Sequence, residues 1–201
     1  MTTEHQRLFN AIVDDLHRTG YSIQRNALPN ELAEQLFHYA TLAANEQFVA
    51  AGVGRGAKRL MDMSIRSDVI QWIDESHPVG PHWLAWVEPL LVAVNEQLYM
   101  GLRGFESHFA HYRPGAFYQR HKDAFQGDKN RVLSLVVYLN PHWQEGNGGE
   151  LVIYADDNDL TGQKVPPIMG TAVVFLSDSF AHEVLPTNTS RFSIAGWLRA
   201  T

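Results

Sequence analysis

His121-Lys122-Asp123 sets an imidazole and a carboxylate two residues apart, and it is the sole His-x-Asp in the chain. In an extended segment such residues share a face, as two ligands of one ion must. His182 offers a second imidazole from a later β-rich segment, and Arg191 follows nine residues after it. Pro186 between them predicts a hairpin that lays the two strands side by side. Two imidazoles and one carboxylate on one face of a metal leave three positions open, an arrangement suited to non-heme Fe(II) oxygen chemistry. Zinc is the rival metal, although its catalytic sites usually hold three protein ligands in a tetrahedron with one open position.

The last strand adds a second kind of chemistry. Alternation puts Arg191, Ser193, Ala195 and Trp197 on one face and Phe192, Ile194, Gly196 and Leu198 on the other. A guanidinium, two small residues and an indole describe a cavity with a cation at its end. Arginine matches a carboxylate with a two-pronged fork and is costly to bury without an anion, so the face reads as a carboxylate-binding pocket. The plainer alternative is an ordinary ion pair at the rim. Tyr138 shares a strand face with Val132, Ser134 and Val136, where its hydroxyl can join that pocket or its ring can simply fill the core.

These residues need a frame, and the chain changes period near its middle. Leu8, Ile12 and Leu16 recur at helical spacing, as do Leu32, Leu36 and Ala40 after a cap at Asn30, and then Leu91, Val94 and Leu98. Pro89 should begin that third helix or kink it. Between the second and third helices lie a glycine-rich, basic loop and a short strand over 66–73, together a finger at about 51–73. From Glu106 onward the period is two, with strands expected at 106–113, 117–122, 131–139, 150–154, 171–177, 181–185 and 191–198. Pro-Gly and Gly-Asn-Gly-Gly turns separate them. The expected fold is α+β with a mainly β core, a double-stranded β-helix or jelly roll buttressed by N-terminal helices. It forms one domain over 1–201, with residues 1–105 mostly helical support and 106–199 the core.

Composition removes several classes of function. Lys and Arg number 16 against 22 Asp and Glu, a net charge of −6, which disfavours a nucleic-acid partner. The absence of cysteine excludes thiolate metal sites, disulfides and Cys nucleophiles. No segment has the length of a spanning helix, and the polar N-terminus carries no signal-peptide pattern, so the expectation is a soluble cytoplasmic protein away from membranes. A monomer is expected.

The blocks YQRHKD, RVLSLVVYLN, GNGGELVIY and HEVLPTNTSRFSIAGW, with HYRPG and MSIRSDVIQWID upstream, resemble the Fe(II)- and 2-oxoglutarate-dependent oxygenases. Among these they are most similar to the prolyl hydroxylases that modify hypoxia-inducible factor. The resemblance runs from about Met61 to Trp197. It implies that His121, Asp123 and His182 bind Fe(II) and carry catalysis, that Arg191 and Tyr138 hold the far carboxylate of 2-oxoglutarate, and that Tyr112 and Trp197 line the pocket. It further implies an Asp68–Arg131 pair near the substrate, with Arg66 beside it, and a lid at Ala51–Asp68. Dioxygen would be the second cosubstrate, ascorbate a reductant, and oxygen sensing a possible role. The implied reaction is 4-hydroxylation of a prolyl residue in a cytosolic protein, elongation factor Tu being the candidate. Free proline or another small molecule is the alternative, and a non-enzymatic jelly-roll binding module a third. Ala195 departs from the animal enzymes, which carry a hydroxyl residue there, and the chain ends at Thr201 without their C-terminal helix.

Overall fold

The computed structural model describes residues 3–44, 47–52, 63–124 and 130–201. Helix α1 (Thr3–Thr19) buries Phe9, Ile12, Val13 and Leu16 on one stripe. Gly20, at φ +80°, ends it in the left-handed region that favours glycine and turns the chain into strand β1 (Tyr21–Gln24). Helix α2 (Asn30–Ala43) buries Leu36 and Ala40. Asn30 is its first helical residue and not its cap; Pro29, in extended conformation, occupies the cap position, and no side chain caps the helix. Helix α3 (Gly80–Leu98) carries Pro81 in its first turn, where the missing N–H would have no helical partner. Pro89 is therefore interior to α3 rather than at its start.

The remaining strands are β2 (Val49–Ala50), β3 (Val69–Ile73), β4 (Gly104–Tyr112), β5 (Tyr118–His121), β6 (Arg131–Tyr138), β7 (Leu151–Ile153), β8 (Gln163–Val165), β9 (Ala172–Leu176), β10 (His182–Val184) and β11 (Arg191–Arg199). A large sheet runs β1-β9-β6-β11-β4-β3-β2 and a small one β5-β10-β7-β8. Every pairing in both is antiparallel.

The pleat divides the large sheet cleanly. Leu133, Leu135 and Val137 of β6 and Ile194 and Leu198 of β11 pack under the helices with Trp83, Leu90 and Leu36. The opposite face, with Tyr112, Tyr138, Val173 and Phe175, meets Leu151, Ile153, Val165 and Val184 of the small sheet. This is the expected double-stranded β-helix with helical buttressing, and the site lies between its two sheets. Among the described residues no helix is long and apolar enough to cross a membrane.

Two sequence expectations need correction here. The segment after Pro186 does not return as a hairpin beside β10; it crosses to the other sheet, so β10 pairs with β5 and β7 while β11 pairs with β4 and β6. His182 and Arg191 thus face the interior from opposite walls. The strand expected over 66–73 begins only at Val69, and Arg66 makes an isolated bridge to Tyr118.

Candidate active site

His121 closes β5 and His182 opens β10, and the strand register places them directly opposite each other. Their rings lie 4.3 Å apart. Asp123 follows β5 by two residues and is held from the large sheet: Ser134 Oγ of β6 donates to its Oδ2 at 2.6 Å. The next residue, Ala124, donates its N–H to the Ser177 carbonyl at 3.2 Å. One ligand atom from each of His121, Asp123 and His182 falls within 4.8 Å of the others. Both Nε2 atoms stand 3.6 Å from an Asp123 oxygen, too long for hydrogen bonds and suited to ligands around an ion.

The histidines are oriented from behind. His121 Nδ1 lies 2.7 Å from the Gln119 carbonyl and His182 Nδ1 lies 3.2 Å from that of Phe180. A carbonyl only accepts, so each Nδ1 carries the proton and each Nε2 turns its lone pair to the centre. Tyr118 stacks on His121 at 3.6 Å, and Phe175 meets His182 edge-on at 4.7 Å. Burial, reinforced by the neighbouring His121, pushes His182 down to about 4 and keeps it neutral. Burial opposes ionisation of Asp123, but the two imidazoles and the Ser134 hydroxyl prevail and hold its carboxyl well below the usual range. Two neutral imidazoles and a firm carboxylate form the donor set that a facial Fe(II) site requires.

Arg191 sits on the opposite wall, 2% exposed. Its Nε donates to the Gly149 carbonyl at 2.7 Å and its Nη1 to Ser193 Oγ at 3.0 Å. The Tyr112 and Tyr138 rings flank it at 4.7 and 5.2 Å. No carboxylate pairs with it among the described residues, which removes the rim ion-pair alternative. The buried Tyr138 hydroxyl likewise has no hydrogen-bond partner, and burial pushes it up to about 12, so it remains a donor. An unpaired cation beside an orphaned donor, both buried, fits the carboxylate of a bound acid. A cavity of about 300 Å³ joins this end to the three metal-type ligands.

The outer wall differs from expectation. Asp68 does not pair with Arg131. Arg66 takes both its oxygens, Nε to Oδ1 at 2.8 Å and Nη2 to Oδ2 at 2.6 Å. Arg131 instead reaches Glu106 at 2.8 Å and lies 3.5 Å over the Trp197 ring. The reason is strand position: Glu106 stands opposite Trp197 in the β4–β11 register, at the side of Arg131, while Arg66 and Asp68 share one face of a short extended stretch. All of these residues except Asp68 line the cavity. The lid expected over Ala51–Asp68 falls largely on residues 53–62, outside the described residues.

Sequence reasoning missed Glu106, Trp72, His108, Ser134 and Gly149. Ser134 was detectable as the polar interruption of an apolar strand on the inward face. Gly149 has φ +73°, and a Cβ there would come within 2.9 Å of Arg191 Cδ, so both the left-handed backbone and the close Arg191 stem favour glycine.

Residues 107–199 match the family profile of the 2OG-Fe(II) oxygenase superfamily. A prolyl-4-hydroxylase from Pseudomonas putida is 39% identical, with 96% of this chain and 99% of that one covered and a TM-score of 0.83. A prolyl hydroxylase from Trichoplax adhaerens, solved with a peptide fragment of the hypoxia-inducible factor oxygen degradation domain, is 28% identical over 100% of this chain and 94% of that one, TM-score 0.84. A viral collagen prolyl hydroxylase from Paramecium bursaria Chlorella virus-1, solved with 2-oxoglutarate, shares the fold at 20% identity, over 90% of this chain and 97% of that one, TM-score 0.64.

Proposed function

The chain belongs to the Fe(II)- and 2-oxoglutarate-dependent prolyl hydroxylases, and from that membership we propose that it hydroxylates the 4-position of a prolyl residue in a cytosolic protein, elongation factor Tu being the first candidate. It is a dioxygenase that uses Fe(II) and 2-oxoglutarate. In this reading His121, Asp123 and His182 hold the iron, and Arg191 with Tyr138 holds the far carboxylate of 2-oxoglutarate. When bound, iron and 2-oxoglutarate together let dioxygen oxidise a C–H bond, one oxygen atom entering the substrate and the other leaving in succinate beside carbon dioxide.

The protein's own contribution is positioning. Strand pairing between β5 and β10 fixes the two imidazoles, Ser134 fixes the carboxylate, and the Arg191 fork fixes the acid's distance from them. Arg131 on Trp197 and Arg66 on Tyr118 form a wall at the mouth, where the prolyl ring would be aligned and water kept out. The observation that carries the reading is the buried Arg191, which has no acidic partner among the described residues and shares one cavity with the His121, Asp123 and His182 cluster. The peptide held by the Trichoplax relative supports a protein substrate over a free amino acid.

The test is aerobic incubation of the iron-loaded enzyme and 2-oxoglutarate with purified elongation factor Tu and, separately, free proline. Gain of one oxygen on a single prolyl residue, matched by succinate, is expected. Unmodified protein with hydroxylated free proline would overturn the choice of substrate.

A further inference from the structure

A second groove, of about 1410 Å³, opens between the turn at 74–76, helix α3 and the first residues of β4. Trp72 and Glu106 line both this groove and the active-site cavity, so the two adjoin at these side chains. Trp72 stands at the junction, 46% exposed and packed edge-on against His108. Leu84, Leu91 and Phe105 offer apolar surface along the groove.

Its rim is acidic. Asp74, Glu75 and Glu88 line it against the single cation Arg103. Asp74 is occupied by its own turn, accepting from the Ser76 N–H at 2.9 Å and the Ser76 hydroxyl at 2.6 Å. Glu106 already holds Arg131 and Arg199. Glu75 and Glu88 are exposed, and neither carboxylate has an ion pair or hydrogen bond among the described residues. The backbone beside them is also partly open. Strand β3 stops at Ile73, opposite Ser107, so Gly104 and Phe105 pair with β11 on one side and have no strand on the other among the described residues. An extended segment can lie along such an edge.

We propose that this groove receives the part of the protein substrate that flanks the reacting prolyl residue, and that it selects an extended segment carrying Lys or Arg next to an apolar side chain. The inference rests on the prolyl-hydroxylase reading above. Charge complementarity assigns the cation: Glu75 and Glu88 are the carboxylates with capacity to spare, and a net charge of −6 steers the same kind of segment from a distance. The apolar side chain has Trp72 and Leu84 to cover. Adjacency at Trp72 assigns the segment to the chain already in the active site.

The experiment uses the full-length, iron-loaded enzyme and synthetic single-proline peptides that differ only in carrying Lys, Gln or Glu on one side of the proline, each side in turn. Turnover and fluorescence anisotropy are measured on the same peptides with wild type and with the double variant Glu75→Gln/Glu88→Gln. For the Lys peptide of one side, KM and Kd should be lower than for the Glu peptide, and in the double variant both should rise about three- to tenfold. The Gln peptide should change little, and added salt should erase the Lys preference. Equal hydroxylation of Lys and Glu peptides by wild type, or an unchanged Lys preference in the double variant, overturns the groove while leaving the prolyl reading intact. Binding of the Lys peptide that depends on Glu75 and Glu88, with no hydroxylation of any peptide, keeps the groove and overturns the prolyl reading. Failure of every peptide to bind overturns the groove.

Discussion

Ser134 Oγ, in the middle of a strand of the large sheet, donates a hydrogen bond of 2.6 Å to Oδ2 of Asp123, which belongs to the loop after a strand of the small sheet. That hydroxyl also contacts Ser177 Oγ at 2.9 Å, so the carboxylate is oriented by a small buried chain of polar groups. Ser134→Ala should keep the fold and weaken binding of Mn(II), used as an oxygen-stable probe, by about 10–100-fold. Calorimetric titration of the apoenzyme reads this directly, and unchanged affinity would remove Ser134 from the metal site.

His121→Ala, Asp123→Ala and His182→Ala should each abolish succinate formation. Each removes one of three protein ligands while the β5–β10 and β6–β11 pairings remain. Circular dichroism should show the native β content in all three, and full turnover in any of them would place the iron elsewhere.

Arg191→Ala should raise the 2-oxoglutarate requirement strongly and leave Mn(II) affinity nearly as in wild type, because the guanidinium stands on the wall opposite the histidines. Loss of one partner of a buried charge-assisted pair typically costs about 2–5 kcal/mol. Tyr138→Phe should act in the same direction with a smaller size, about 1.5–3 kcal/mol for one hydrogen bond to a charged group. Titration of 2-oxoglutarate against succinate yield separates the two effects from any change in maximal rate.

Acid should unfold the protein in a definite window. Burial, with Arg66 nearby, pushes His108 down to about 4, and burial with Arg113 does the same for His111. Unfolded, each takes up its proton near 6.5. Between those values the unfolded chain binds more protons, so lowering the pH favours it; above 6.5 the two states do not differ in these groups. The melting temperature should be level above that pH and fall below it, with the fully buried His108 contributing on the order of 3 kcal/mol. His108→Phe should flatten part of the slope.

Asp68→Asn tests the Arg66 contact. The two side chains are 11% and 0% exposed, so the variant leaves a guanidinium without its counter-charge in a dry place. A loss of about 3–5 kcal/mol in unfolding free energy is expected from denaturant titration. Equal stability would show that water reaches Arg66.

The C-terminal half of the fold was legible because alternation and turn residues report the same thing there. Each of its seven expected strands appears within two residues of its expected limits. Strand β1 escaped because it is four residues between two helices, recognisable only by its pairing with β9. Strand β8, Gln163-Lys164-Val165, has one apolar residue and exists through its ladder to β7. Local pattern also cannot tell a hairpin from a crossing between sheets, which is why β10 and β11 were expected together. The metal-type ligands were legible from types and spacing, since chemistry restricts both. The Arg66–Asp68 and Arg131–Glu106 pairings were not, because ion pairs are chosen by which strand faces line up, and the implied Asp68–Arg131 pair does not form.

The two histidines come from the small sheet, whereas the Asp123 carboxylate is moored to the large one. An ion bound among them is therefore a cross-brace between two layers otherwise joined by side-chain packing and a few hydrogen bonds, such as that from the Tyr21 hydroxyl to Gln163 at 2.8 Å. Occupancy should then be felt far from the chemistry: amide protons of β5, β10 and β7 should exchange more slowly with metal present, while those of α1 and α2 keep their rates. The protein's melting temperature becomes a function of free metal concentration, rising with each decade above the dissociation constant. In a cell short of iron, the same chain would be both inactive and looser along one sheet.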